Sequence, residues 1–180
     1  MLRRNKLARV FADKLPESDN RQITTDKRTA RMECTVSWTG ATGTRSKMGF
    51  VAETGTGHLL AMDGAPDADR PDNGGSNMAP RPMELLLAGT GGCTAYDVVL
   101  ILKRGRHDVR GCSVHVSSER AETDPKVFTK IHLQFTVTGK GIPATAVERA
   151  IALSHDKYCS ASIMLGKTAT ITTGFDLVEG

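Results

Sequence analysis

The chain has 180 residues, 39% hydrophobic and 24% charged, enough for one domain with its own core and ordinary for a globular protein. Its formal net charge of +4 is unevenly placed: residues 1–31 carry nine Lys/Arg against four Asp/Glu (+5), and the remainder carries 15 against 16 (−1). A body with no basic stripe, one Trp and two Tyr gives no support to a nucleic-acid surface, and no apolar run is read as approaching the roughly 20 residues of a membrane helix.

Residues 1–31 are polar and lack strong periodicity, so they read as a basic, disordered N-terminal extension. They hold no apolar segment of the secretory type, and the expected location is the cytoplasm. Met32 opens "MECTVSW", and the domain is expected to span 32–180. Strands are expected at 33–38, 48–54 and 58–63, joined by the Gly-rich turns "TGATGT" and "ETGTGH". The Pro, Gly, Asp and Asn content of "GAPDADRPDNGGSNMAPRP" then marks a loop.

Pro82 suits the first turn of a helix, because its missing N–H is not needed there. That helix is expected from 82 to about 104, with Lys103 and Arg104 in its last turn ahead of Gly105. "DVRGCSVHVSSER" and "KVFTKIHLQFTVTG" alternate apolar and polar residues as half-buried strands do, with "ERAETDPK" connecting them as a hairpin. "PATAVERAIALSHDKY" carries a helical stripe behind Pro143, "CSASIML" reads as one more helical turn, and "KTATITTGFDLV" as a closing strand. The order β-β-β-α-β-β-α-α-β, with hairpin-connected strands, predicts an α+β fold with antiparallel sheets.

The four cysteines, Cys34, Cys93, Cys112 and Cys159, form no C-x-x-C and read as free thiols. Just ahead of Cys93, Gly89, Gly91 and Gly92 interrupt the long helix, each costing roughly 1 kcal/mol against alanine in a helix interior. A dinucleotide loop does not account for them, because Thr94 stands at the third glycine position and the later strands form hairpins rather than βαβ units. Close approach of another backbone is the better reason, and it places Cys93 in a tight contact or a narrow cleft. His58, His107, His115, His132 and His155 show no metal-ligand spacing, and no metal or cofactor is expected.

The segments "RPMELLLAGTGGCTAYDVVLILKRGRHDVRG", "VFTKIHLQFTVTG" and "VERAIALSHDKYCSASIMLGKTATI" resemble the OsmC / organic hydroperoxide resistance (Ohr) family, and within it the OsmC-like subgroup with "GGC…KYCS" motifs. The resemblance covers about residues 32–180. It implies an intertwined homodimer whose two central helices are wrapped by antiparallel sheets from both chains, the glycines allowing the helices to pack closely. It also implies thiol-dependent reduction of organic hydroperoxides, with no cofactor and a dithiol as reductant. By motif position Cys93 matches the peroxide-attacking cysteine and Cys159 the resolving one, while Cys34 and Cys112 match neither. Active members use an arginine from an early hairpin, held by a glutamate near the start of the cysteine helix. Arg45 is the first choice for that arginine and Arg81 the second. The glutamate position is occupied by Met83, with Glu84 beside it, so either Glu84 substitutes or the cation is positioned differently. The alternative function is a non-enzymatic dimer of the same fold, holding a small apolar ligand or serving as a thiol redox sensor.

Overall fold

The computed structural model describes residues 32–40 and 46–180. Their order is β1 (Cys34–Trp38), β2 (Phe50–Thr54), β3 (Leu59–Met62), α1 (Pro82–Arg104), β4 (Asp108–Arg120), β5 (Phe128–Lys140), α2 (Ala144–Leu153), a π-helical turn (Ser154–Tyr158), α3 (Ser160–Leu165) and β6 (Thr170–Glu179). The class is α+β, and the elements follow the order expected from the sequence. The basic extension, residues 1–31, lies outside the described residues.

The core is built on β5. Ile131, Leu133, Phe135 and Val137 are buried at every second position, as a strand with one face on a core requires. β4 pairs with β5 antiparallel and contributes Cys112, Val114 and Val116 to the same layer. Val109 is out of step with those three, and the irregular register between Val109 and Gly111 restores it to the core side. Helices α1 and α2 cover this face with Val98 and Leu102 from one and Val147, Ala150 and Ile151 from the other.

One pairing differs from the expected antiparallel sheets: β6 lies parallel to β5, with Ile131 opposite Ile171 and Phe135 opposite Phe175. The connection from Lys140 to Thr170 contains α2, the π-helical turn and α3, and a helical crossover of that length returns the chain in its original direction.

The β1–β2–β3 sheet is antiparallel throughout and nearly without a core. Ala52 is the only buried apolar residue of its three strands. Val36, Trp38, Leu59 and Leu60 are each about half exposed, and the successive Leu59 and Leu60 point to opposite faces. The sheet joins α1 through a loop pinned by Asp63. Its carboxylate accepts the Ser46 hydroxyl and the backbone N–H groups of Gly64 (2.7 Å), Ser76 (3.1 Å) and Met78 (2.9 Å).

α1 corrects one sequence inference. Over an 18-residue window its mean hydropathy is 1.7, and the helix is long and apolar enough to cross a membrane. Gly and Thr break its apolar run in sequence without removing its overall apolarity. Here it packs on β4, α2, α3 and the π-helical turn.

Candidate active site

The core positions of α1 recur at Thr90, Thr94, Val98 and Leu102, four residues apart. Cys93 and Asp97 are also four apart, one position earlier in each turn, so they share a neighbouring stripe. Cys159 arrives from the other side. The π-helical turn widens the end of α2, and the chain straightens at Cys159 (φ −73°, ψ 97°) before α3 begins. Cys159 is therefore the N-cap of α3, and its Sγ accepts the Ser162 N–H at 3.5 Å. Ser162 returns a bond from its hydroxyl to the Cys159 carbonyl at 3.0 Å.

The Cys93 and Cys159 sulfurs and an Asp97 carboxylate oxygen lie within 4.8 Å of one another. Cys159 is fully buried and Cys93 partly so. The Ser154 hydroxyl donates to Asp97 Oδ2 at 3.0 Å and is itself 2.9 Å from the buried Thr94 hydroxyl. The order Thr94, Ser154, Asp97 thus fixes the carboxylate through two hydroxyls. All four cysteines are free thiols, with Cys34 exposed and Cys112 partly buried on β4.

The electrostatics run against the activation expected for a peroxide-attacking thiol. Burial pushes the Cys93 thiol above its ordinary range, and its hydrogen bond with Cys159 and the negative charges of Cys159 and Asp97 act in the same direction. The Ala161 N–H bond to Cys93 opposes them without overcoming them. Among the described residues, the charges that act on Cys93 are both negative.

Of the other anticipated residues, Arg81 and Glu84 stand apart from this cluster. Arg45 lies outside the described residues. Arg81 precedes the first turn of α1, its guanidinium at 3.5 Å from the Asn77 side-chain oxygen. Glu84 accepts the Arg81 backbone N–H at 2.9 Å and so closes the helix start. It sits about 13 Å along the axis from Cys93, at 1.5 Å per residue. Met83 packs against the core, so the position expected to hold the glutamate is committed to apolar contact.

Asp97 and Ser154 are the residues that sequence reasoning missed. Asp97 carried a signal, a lone carboxylate in the apolar stretch "CTAYDVVLIL" four residues, about one helical turn, after the cysteine. Ser154 carried none, because its placement depends on the π-helical turn.

The glycines divide by face. A Cβ on Gly91 would stand 3.0 Å from Val116 Cγ2, so that glycine serves the packing of α1 on β4. Gly89 and Gly92 would meet nothing within 4 Å. The close helix contact expected of them is not made among the described residues. They form an open stripe with Leu86 (49% exposed) and Tyr96 (69% exposed).

The OsmC-like protein family matches residues 74–174, from the loop before α1 into β6. Protein YhfA of Escherichia coli K12 is 46% identical over 129 residues, which covers 72% of this chain and 90% of YhfA. The organic hydroperoxide resistance protein OsmC of Legionella pneumophila shares the fold with a TM-score of 0.59 at 18% identity, covering 83% of this chain and 99% of that one. The organic hydroperoxide resistance protein OhrB of Bacillus subtilis does so with a TM-score of 0.52 at 16% identity, covering 81% and 98%. With the family match spanning more than half of its length and carrying both Cys93 and Cys159, the chain belongs to the OsmC family.

Proposed function

We propose that the protein is a cytoplasmic, homodimeric thiol peroxidase that reduces organic hydroperoxides. The Cys93 thiolate attacks the peroxide oxygen, the O–O bond breaks, and the alcohol leaves with a proton while the sulfur becomes a sulfenic acid. The Cys159 thiol then attacks that sulfur, releasing water and forming a disulfide. A dithiol reductant returns both sulfurs to thiols by exchange. The observation that carries this reading is the convergence of two sequence-distant thiols, one partly open and one buried, to within 4.8 Å. The names of the Legionella and Bacillus relatives support the same class of substrate.

The reading needs a cation at Cys93, since burial and Asp97 oppose its ionisation. Arg45, with its permanent charge, is the candidate, and Arg81 the second. Glu84 enters as the partner of that arginine only if the two copies bring it to the other chain's cysteine.

The homodimer rests on exposed apolar surface. Val36, Trp38, Leu59 and Leu60 leave apolar surface exposed on both faces of the β1–β3 sheet, and Leu86, Tyr96, Ile163 and Met164 are exposed on α1 and α3. A three-stranded sheet of four- and five-residue strands has little stability without something packed on it.

The test is consumption of tert-butyl hydroperoxide with dithiothreitol. Wild type should turn over, and Cys93→Ser should not. Cys159→Ser should oxidise once and drift to the irreversible sulfinic acid at Cys93. Mass spectrometry should find a Cys93–Cys159 disulfide in the oxidised wild type. Turnover that survives Cys93→Ser, or oxidation confined to Cys34 or Cys112, overturns the assignment. The raised Cys93 thiol favours a second reading, a slow redox sensor, which would form the same disulfide without sustained turnover.

A further inference from the structure

The peroxidase cycle employs two of the three groups that meet between α1 and α3 and leaves Asp97 without a part. Cys93 and Asp97, one turn apart on α1, and Cys159, the N-cap of α3, present two sulfurs and one carboxylate oxygen within 4.8 Å of one another. We propose that these three residues form a binding site for a single zinc ion, with the fourth position open to water. The inference goes beyond the peroxidase reading and does not depend on it, since the same sulfurs would serve either as redox thiols or as metal ligands.

The donor set selects the ion. Two thiolates and one carboxylate suit a borderline-soft divalent cation, whereas magnesium and calcium take oxygen ligands. The spacing is compatible. Zn–S bonds of about 2.3 Å and a Zn–O bond of about 2.0 Å place tetrahedral donors roughly 3.5–3.8 Å apart, so side-chain rotations of about 1 Å would close the trio onto a metal.

Each donor is also held from behind, as ligands of zinc sites are. The Ala161 N–H bonds Cys93, the Ser162 N–H bonds the Cys159 sulfur at 3.5 Å, and the Ser154 hydroxyl bonds Asp97 at 3.0 Å. Two of these donors are backbone amides in the first turn of α3, so the segment that delivers Cys159 also supplies the outer contacts of both sulfurs.

The experiment is titration of the untagged, fully reduced protein with Co²⁺ as a spectroscopic stand-in for zinc, followed by Zn²⁺ competition, in the absence of peroxide. The expected result is one equivalent of Co²⁺ with a near-ultraviolet thiolate-to-cobalt charge-transfer band that zinc abolishes. Cys34→Ser and Cys112→Ser should leave the band unchanged. Cys93→Ser and Cys159→Ser should weaken binding at least about 100-fold, and Asp97→Asn about 10- to 100-fold. Zinc-loaded wild type should also resist alkylation at Cys93 and Cys159. If Cys159→Ser fails to fold because its site is buried, Cys93→Ser and the wild-type alkylation pattern decide. A protein that gives no charge-transfer band up to millimolar Co²⁺, or whose band survives Cys93→Ser, overturns the site. Neither result touches the peroxide assay, so failure here and failure of the peroxidase reading are separate outcomes.

Discussion

Asp63 and Asp97 are both held by hydrogen bonds, and they do different work. Asp63 is 2% exposed and gathers one hydroxyl and three backbone N–H groups. Burial pushes its carboxyl up, but the bonds from Ser46, Met78, Gly64 and Ser76 together outweigh burial and hold it below the ordinary value. A carboxyl depressed in the folded state stabilises above its unfolded pKa of about 3.9, and that contribution is lost as pH falls through the folded value. The loop before α1 should therefore loosen in acid, below about pH 4, and not in base. Asp63→Ala should cost about 3 kcal/mol, because it removes four hydrogen bonds, one of them from the buried Ser46 hydroxyl, and should remove this part of the acid dependence. Denaturant melts of both proteins from pH 3 to 7 check it. Asp97 acts instead through its charge on Cys93. Removing that charge favours the thiolate, so Asp97→Asn should speed alkylation of Cys93 by iodoacetamide at pH 7 to 8. A slower reaction would show that the carboxylate assists ionisation rather than opposing it.

Among the elements, α1 shows how much a sequence can state about packing and where it stops. Its start at Pro82, its end ahead of Gly105 and its glycine cluster were all legible, and so were the strands, from alternation and turn residues. The parallel partner of β5 was not, because the direction of β6 depends on how the crossover packs rather than on any local pattern. The pairing of Cys93 with Cys159 came from the resemblance to the family. Spacing alone gives no hint that the residue capping α3 meets one in the middle of α1. Asp97 was missed although it stands as a charge in an apolar helix, because its meaning needed Cys159 and Ser154 beside it. The glycines were legible as a packing device and not as two devices on two faces. That division can be tested. Gly91→Ala forces a Cβ to 3.0 Å from Val116 and should lower stability by about 1 kcal/mol despite its better helix propensity. Gly92→Ala meets nothing within 4 Å among the described residues and should gain up to about 1 kcal/mol of helix stability in a monomer. If a second copy packs on that stripe, it should instead weaken self-association. Thermal melts of both variants at two protein concentrations separate the two faces.

At the scale of the whole molecule, the β4–β5–β6 layer under α1 and α2 is a finished core, whereas the β1–β3 sheet is not. Its apolar side chains stand open on both faces, and its one buried apolar residue, Ala52, is small. Burying a half-exposed leucine or valine gains on the order of 1 kcal/mol at about 25 cal/mol per Å² of apolar surface. Val36, Trp38, Leu59 and Leu60, with Leu86 and Tyr96 on α1, therefore hold several kcal/mol that a single chain leaves unrealised. Trp38 is the chain's only tryptophan and is 57% exposed, which makes it a reporter for whatever covers the sheet. Its indole N–H is already bonded to the Lys47 carbonyl at 2.9 Å, so a partner need supply only apolar contact. In a dimer its emission should be blue-shifted at micromolar concentration and should move to the red on dilution, in step with loss of dimer mass in sedimentation. Leu60→Glu places a charge on the same sheet and should give the red-shifted spectrum at every concentration, together with a lower melting temperature. A wild-type chain that sediments as a monomer at micromolar concentration, melts cooperatively and keeps one emission maximum on dilution would mean that the sheet is stable uncovered. A peroxidase site that borrows groups from a second copy would then lose its basis.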